Sequence, residues 1–240
     1  MKKTRLIKRF RDWGTRNYYL LKRQVSVPGS ADWLIGAELK YGGKVTGVLR
    51  RKVSPHDPRP KDVLWSQPMA GGDRMLDHGY APHYAKHLKP LLKLNRPAVI
   101  VECGILKGTG LAIWCDLFPQ GRVIGLDLDL SHFNDNLEKL RRRGAFQLNR
   151  PEVYRYDQFM DQKNFMGKIL AGRKIDVAID DGCHVDEAIL TTFKSVRPYL
   201  ADRFVYFVED NRQVHKKIKS KYPDLKIVSK NALSVISSGR

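Results

Sequence analysis

From residue 98 onward, short apolar runs alternate with longer amphipathic stretches. "AVIVEC" (98–103) predicts a buried strand, and "KGTGLAIWCDLF" (107–118) opens a helix behind glycines. "RVIGLDL" (122–128) predicts a second strand. "SHFNDNLEKLRRRG" (131–144) predicts a helix with Ser131 as N-cap and a glycine stop. The same alternation continues through strand 152–157, helix 163–172, strand 174–180, helix 185–200, strand 204–210 and helix 212–222. "LKIVSK" (225–230) and "ALSVIS" (232–237) predict a closing antiparallel pair. Alternating βα units of this length build a mainly parallel sheet covered by helices on both faces, a Rossmann-like doubly wound α/β fold.

Upstream the pattern is different. Residues 1–25 interleave apolar positions (Leu6, Ile7, Phe10, Trp13, Tyr18, Leu20, Leu21) with nine Lys/Arg and one Asp. This fits a basic amphipathic helix on an anionic membrane surface, and equally a partner-docking or solvated arm, because Gly14 interrupts the helical repeat. Gly/Pro punctuation over 26–62 predicts loops with one short hairpin. Residues 78–92 read as a helix whose Tyr80, Tyr84 and His87 share a face, either a lid or ordinary packing. The chain therefore divides into a basic arm with a loop-rich extension (1–70) and one α/β domain (71–240).

Charge changes the picture of partners, not of fold. A net charge of +19 favours polyanions such as nucleic acid, anionic membrane or acidic glycans. Cys103, Cys115 and Cys183 lack disulfide or zinc spacing, which points to a reducing, cytoplasmic setting. No apolar run is long enough to span a bilayer.

Ligands of open α/β sheets bind beyond the C-terminal strand ends. Every predicted parallel strand ends in a carboxylate: Glu102, Asp127, Asp157, the pair Asp180–Asp181, and the pair Glu209–Asp210. Gly104, Gly108 and Gly110 occupy the first strand-to-helix turn, yet neither a dinucleotide fingerprint nor a phosphate-binding P-loop is present. Asp127 stands where a ribose acid stands, unless it or Asp129 caps the next helix. Asp157 either faces an adenine or caps a turn. A glycine turn and a ribose acid without a phosphate site suit an adenosyl ligand lacking pyrophosphate, such as S-adenosylmethionine.

With "DHGYAPHYAKHLKP" (77–90), "VIVECGILKGTGLAIWCDLFPQGRVIGLDLD" (99–129), "DVAIDDGCHVDEAILTTFKSVRPYL" (176–200) and "VYFVEDN" (205–211), the chain resembles the class I S-adenosylmethionine-dependent methyltransferases. Within them it resembles the macrocin/mycinamicin sugar O-methyltransferase and cephalosporin-hydroxylase-like group. The resemblance implies Glu102, Gly104 and Gly108 at the methionine end of the cofactor and Asp127 on its ribose; the strand-end acids Asp157 and Asp180 are further candidates on the cofactor side. It implies a divalent metal, usually magnesium, on Asp181, Glu209 and Asp210, with His184 as general base. The expected activity is methylation of a hydroxyl on a sugar, glycoside or cell-surface glycan; the basic segments add the expectation of a lipid-linked or anionic acceptor and of peripheral contact with the inner membrane face, and a homo-oligomer is a further expectation. RNA methylation and a non-catalytic binding role are the alternatives. Charge alone favours RNA, and no RNA-binding module is recognisable. If the metal reading holds, the carboxylates of Asp181, Glu209 and Asp210 must converge on one point.

Overall fold

The computed structural model describes residues 2–43, 45–48, 54–60 and 69–239, with side chains over 13–43, 54–60 and 71–239. Its centre is a seven-stranded sheet built from β3 (Val99–Cys103), β4 (Arg122–Asp127), β5 (Glu152–Arg155), β6 (Ile175–Asp180), β7 (Leu200–Val208), β8 (Lys226–Lys230) and β9 (Leu233–Ser237). The strand order is β5-β4-β3-β6-β7-β9-β8. The first five strands in that order run parallel, and β9 enters antiparallel between β7 and β8. The expected doubly wound fold and its closing antiparallel pair are both present.

β3 is buried along its whole length, as a central parallel strand must be. Its alternate residues feed two cores. Ile100 joins Val177, Ile179 and Phe207 on one face, under α3 (Ala81–Leu88) and α4 (Thr109–Leu117). Val99, Val101 and Cys103 join Ile124, Ala178 and Tyr206 on the other, under α6 (Lys163–Leu170), α7 (Asp186–Val196) and α8 (Val214–Lys221). Strand order reverses between β3 and β6, so their loops diverge there and leave a crevice beyond the C-terminal ends.

Three local expectations change. Residues 26–62, expected as loop, contain the helix α2 (Ala31–Tyr41), which follows α1 (Lys2–Val25). The Ser30 hydroxyl accepts from Trp33 N at 3.3 Å, and Trp33, Leu34, Ala37 and Tyr41 enter the same core as Ile100. The flanking Gly/Pro clusters masked this short helix. The short hairpin lies later, pairing β1 (Val45–Val48) with β2 (Met69–Gly71). Ser131 is the first residue of α5 (Ser131–Arg142) and not its cap; Asp129 Oδ1 accepts from Ser131 N at 3.0 Å.

Candidate functional site

The loops after β3, β4, β6 and β7 surround a cleft of ≈ 480 Å³, within the range of small-molecule sites. Gly104 makes the crossing of the first and third loops possible. Its φ is +87°, and a Cβ there would lie 2.2 Å from the Asp181 carbonyl oxygen. The backbone at Asp181 is then fixed by its N–H bond to Cys103 O at 2.8 Å.

Glu102, Gly104, Asp127, Asp157, Asp181, His184 and Asp210 all reach the cleft wall. Asp127 is held there by the turn it organises. Its Oδ2 accepts from Ile105 N (2.9 Å) and Leu106 N (3.0 Å), and its Oδ1 from Asp129 N (3.0 Å). Burial raises its pKa against the pull of those donors. Asp157 accepts from the Ser54 hydroxyl and from Phe159 N, so it serves its turn as well as lining the cleft.

Two residues expected on the cofactor do not line the cleft. Asp180 is turned to the opposite face of the sheet, where Gln158 Nε2 (2.8 Å) and Tyr206 OH (3.3 Å) donate to it. Strand alternation decides this: adjacent Asp180 and Asp181 must face opposite ways. Burial pushes the Asp180 carboxyl up to about 6. Gly108 sits behind the wall at the start of α4, with φ +76° and the Phe133 ring 2.5 Å from where a Cβ would be. Gly110, the second residue of α4, lines the cleft instead: a Cβ on it would lie 2.2 Å from Glu102 Oε1.

The expected convergence occurs with a changed membership. One ligand atom from each of Asp181, His184 and Asp210 lies within 4.8 Å of the other two. Both His184 (φ +62°) and Asp210 (φ +54°) take the left-handed backbone conformation, which turns each chain sharply after its strand. Asn211 fastens the two turns together. Its Nδ2 donates to His184 O (2.9 Å) and Asp186 Oδ1 (2.8 Å), while its Oδ1 accepts from Gln213 N and Val214 N at 2.8 Å each. Glu209 is not in the cluster. It is fully buried, accepts from the Tyr84 hydroxyl, and binds Arg74 Nε at 2.8 Å through Oε1.

Arg74 is the functional residue the sequence reading missed. It is 7% exposed. Its Nη2 meets Glu102 Oε1 and Asp181 Oδ2, each at 2.7 Å. Burial works against its charge, but Glu209, Glu102, Tyr84 and Asp181 hold its pKa well above the ordinary value. Glu38 places it: its carboxylate accepts from Met75 N (2.9 Å) and Leu76 N (3.1 Å), fixing the turn that carries Arg74. Tyr84 lies between Trp114 and Phe207, with ring centroids at 5.5 and 4.0 Å, so this helix face is core packing and not a lid. At its start, Tyr80 OH (2.8 Å) and His78 Nδ1 (3.2 Å) both reach Asp210 Oδ1. The hydrogen bond to Asp210 pushes His78 up to about 9.

The donor set fits a divalent cation. Asp181 uses Oδ2 and Asp210 uses Oδ1 for these contacts, which leaves their other oxygens without a hydrogen bond among the described residues. His184 Nδ1 is buried without a partner among those residues. Two carboxylates suit a hard cation that keeps several waters.

No family model matches the chain. It is 28% identical over 143 residues to mycinamicin VI 2''-O-methyltransferase of Micromonospora griseorubida, covering 55% of this chain and 31% of that protein. It is 28% identical over 145 residues to demethylmacrocin O-methyltransferase of Streptomyces fradiae, covering 55% and 32%. The chain thus spans about a third of the length of the curated relatives it matches. Among solved structures, it superposes on the MycE methyltransferase of the mycinamycin biosynthetic pathway, in complex with Mg, SAH and mycinamycin VI. The TM-score is 0.53 at 21% identity, over 69% of this chain and 50% of that one. The TomG O-methyltransferase of Streptomyces achromogenes, in complex with SAM, gives 0.50 at 15% identity, over 64% and 78%. The chain has the methyltransferase fold of these proteins, and by sequence it is similar to sugar O-methyltransferases of the mycinamicin and macrocin type.

Proposed function

We propose that the chain is an S-adenosylmethionine-dependent, divalent-metal-assisted O-methyltransferase acting on a hydroxyl of a sugar, glycoside or glycan. The observation that carries this reading is the meeting of Asp181, His184 and Asp210 at the edge of a cleft whose wall also holds Glu102, Gly104 and Asp127. Two relatives act by name on an olivosyl-oleandolide and on a rhamnosyl tetracenomycin, and the MycE complex contains Mg and SAH.

Within this reading Glu102 faces the methionine end of the cofactor and Asp127 its ribose. Asp181 and Asp210 are the residues that would hold the cation. When bound, the cation lowers the pKa of the acceptor hydroxyl and orients it. His184 then accepts the hydroxyl proton, and the oxygen takes the methyl group as the carbon–sulfur bond breaks. A positioned base of this kind contributes about 10²–10⁴-fold. Glu209, the third ligand implied by the resemblance, stays on Arg74 and holds that cation against Asp181. The charge of +19 favours an acceptor bearing anionic groups, as a lipid-linked glycan does.

The test is methyl transfer from labelled S-adenosylmethionine to a panel of glycosides and glycans, with and without EDTA. Transfer abolished by EDTA and restored by magnesium is expected. Metal-independent transfer would overturn the role of the cation, and transfer to RNA alone would overturn the acceptor class.

A further inference from the structure

Helix α1 packs on the protein through a mixed side, two arginines and two apolar residues. Arg16, Tyr19, Leu20 and Arg23, spaced i, i+3, i+4, i+7, form the side that meets α2. Tyr19 and Leu20 pack on the core. Arg23 binds Asp116 Oδ2 at 2.5 Å and lies 5.0 Å from the Trp33 ring centre. The helices cross closely at Gly36, where a Cβ would sit 2.5 Å from the Tyr19 carbonyl oxygen. These contacts fix the rotation of α1 about its axis.

The opposite side is apolar and faces outward. Trp13 is 66% exposed, Tyr18 52%, Leu21 66% and Val25 83%. Tyr18, Leu21 and Val25 are spaced i, i+3, i+7 and form this row; Trp13, three residues before Arg16 and seven before Leu20, is exposed at its edge. Leu6, Ile7 and Phe10 continue the same sequence repeat toward the N-terminus; their side chains lie outside the described residues. Val27, just beyond the helix, is exposed as well. A globular protein ordinarily turns such a stripe inward, and contiguous exposed apolar surface marks an interaction site.

We propose that this face of α1 docks on a bilayer surface containing anionic lipid. The aromatic and aliphatic row is what enters the headgroup boundary, and the cations that flank it, Lys22 beside Tyr18 among the described side chains, in a helix of nine Lys/Arg and one Asp, supply the attraction to anionic headgroups. A second copy of this chain would bring the same nine cations against themselves, in a molecule of net charge +19. RNA would pair with the cations but leave the exposed aliphatic side chains of Leu21 and Val25 in water. No helix among the described residues is long and apolar enough to cross a membrane, so the contact is interfacial. It places the cleft at a surface where lipid-linked acceptors reside, but the docking itself does not depend on the methyltransferase reading.

The experiment is co-sedimentation of the full chain with phosphatidylcholine vesicles, with and without phosphatidylglycerol, across a salt series. Quenching of tryptophan fluorescence by brominated lipid is read in parallel. Binding is expected only with the anionic lipid, weakening as salt rises, with quenching lost in Trp13→Phe. The double variant Trp13→Asp/Leu21→Asp should lose about tenfold or more of vesicle affinity while its thermal unfolding is unchanged, since both side chains are solvent-facing. Lys22→Glu, which leaves the apolar row intact, should weaken binding at low salt only. Absence of binding by the native chain would overturn the proposal. So would full binding by the double variant, or a native dimer that this variant converts to monomer.

Discussion

Replacing Arg74 by Met should expose how much of the site rests on one buried cation. The guanidinium meets three carboxylates: Glu102 and Asp181 at 2.7 Å each and Glu209 at 2.8 Å. Glu102 and Glu209 are each 1% exposed. Methionine fills similar volume but leaves these two acids without a counter-charge. Removing one partner of a buried ion pair costs about 3–5 kcal/mol, whereas an exposed pair costs about 0–1 kcal/mol. The variant should therefore lie about 3–5 kcal/mol below the native chain at pH 8. That is a fall in the urea midpoint of about 1 M or more, given slopes of about 3 kcal/mol/M for a chain of this size.

The pH dependence separates this mechanism from simple loss of packing. Burial already holds the Glu209 and Glu102 carboxyls above their ordinary values, against the pull of Arg74. Without Arg74 both must rise further. An acid whose folded pKa exceeds its unfolded value binds an extra proton in the native state between the two, so stability falls as pH rises through that window. The deficit of Arg74→Met should then be smallest near about pH 5 and grow toward pH 8. Urea titrations at the two pH values measure it. A deficit below about 1 kcal/mol at pH 8, or one independent of pH, would refute the view of Arg74 as the counter-ion of the site.

Four further outcomes follow from the same geometry. Asp181→Ala or Asp210→Ala should abolish turnover while calorimetry shows cofactor affinity nearly unchanged; equal loss of both would argue against separate roles. Asp127→Ala should weaken cofactor binding and, by releasing Ile105, Leu106 and Asp129 amides, also cost about 1–3 kcal/mol of stability; unchanged affinity would remove Asp127 from the ribose site. Gly104→Ala forces a Cβ within 2.2 Å of the Asp181 carbonyl at a φ of +87°, so both metal affinity and thermal stability should fall, and a variant of native stability would contradict the loop crossing. Burial pushes Glu38 from 4.5 up to about 7; native stability should fall across that window as pH rises, and Glu38→Gln should gain on the native chain by about 3 kcal/mol between pH 5 and 8. Parallel stability curves for the two would refute the upward shift of Glu38.

Hydrophobic period reveals which strands exist and where they end, because burial on both faces leaves an unbroken apolar run that stops at the crevice. It placed carboxylates at five strand ends correctly to within two residues. It does not reveal which member of an acid pair faces the ligand. At Asp180–Asp181 the pleat still operates, so one carboxyl goes to Tyr206 and the other to the cleft. At Glu209–Asp210 the strand has already ended at Val208, and the left-handed turn at Asp210 redirects the chain by conformation, not by alternation. The first acid then points back toward Arg74 and the second out toward His184. Arg74 itself carries no motif, yet its presence follows from the acids. Two carboxylates buried at the ends of β3 and β7, on either side of β6, demand a cation of their own. In a chain with 44 basic residues the sequence states that demand without saying which residue meets it. The helix start at Ala81 and the Glu38 carboxylate decide it, by setting the turn that places Arg74 against both acids.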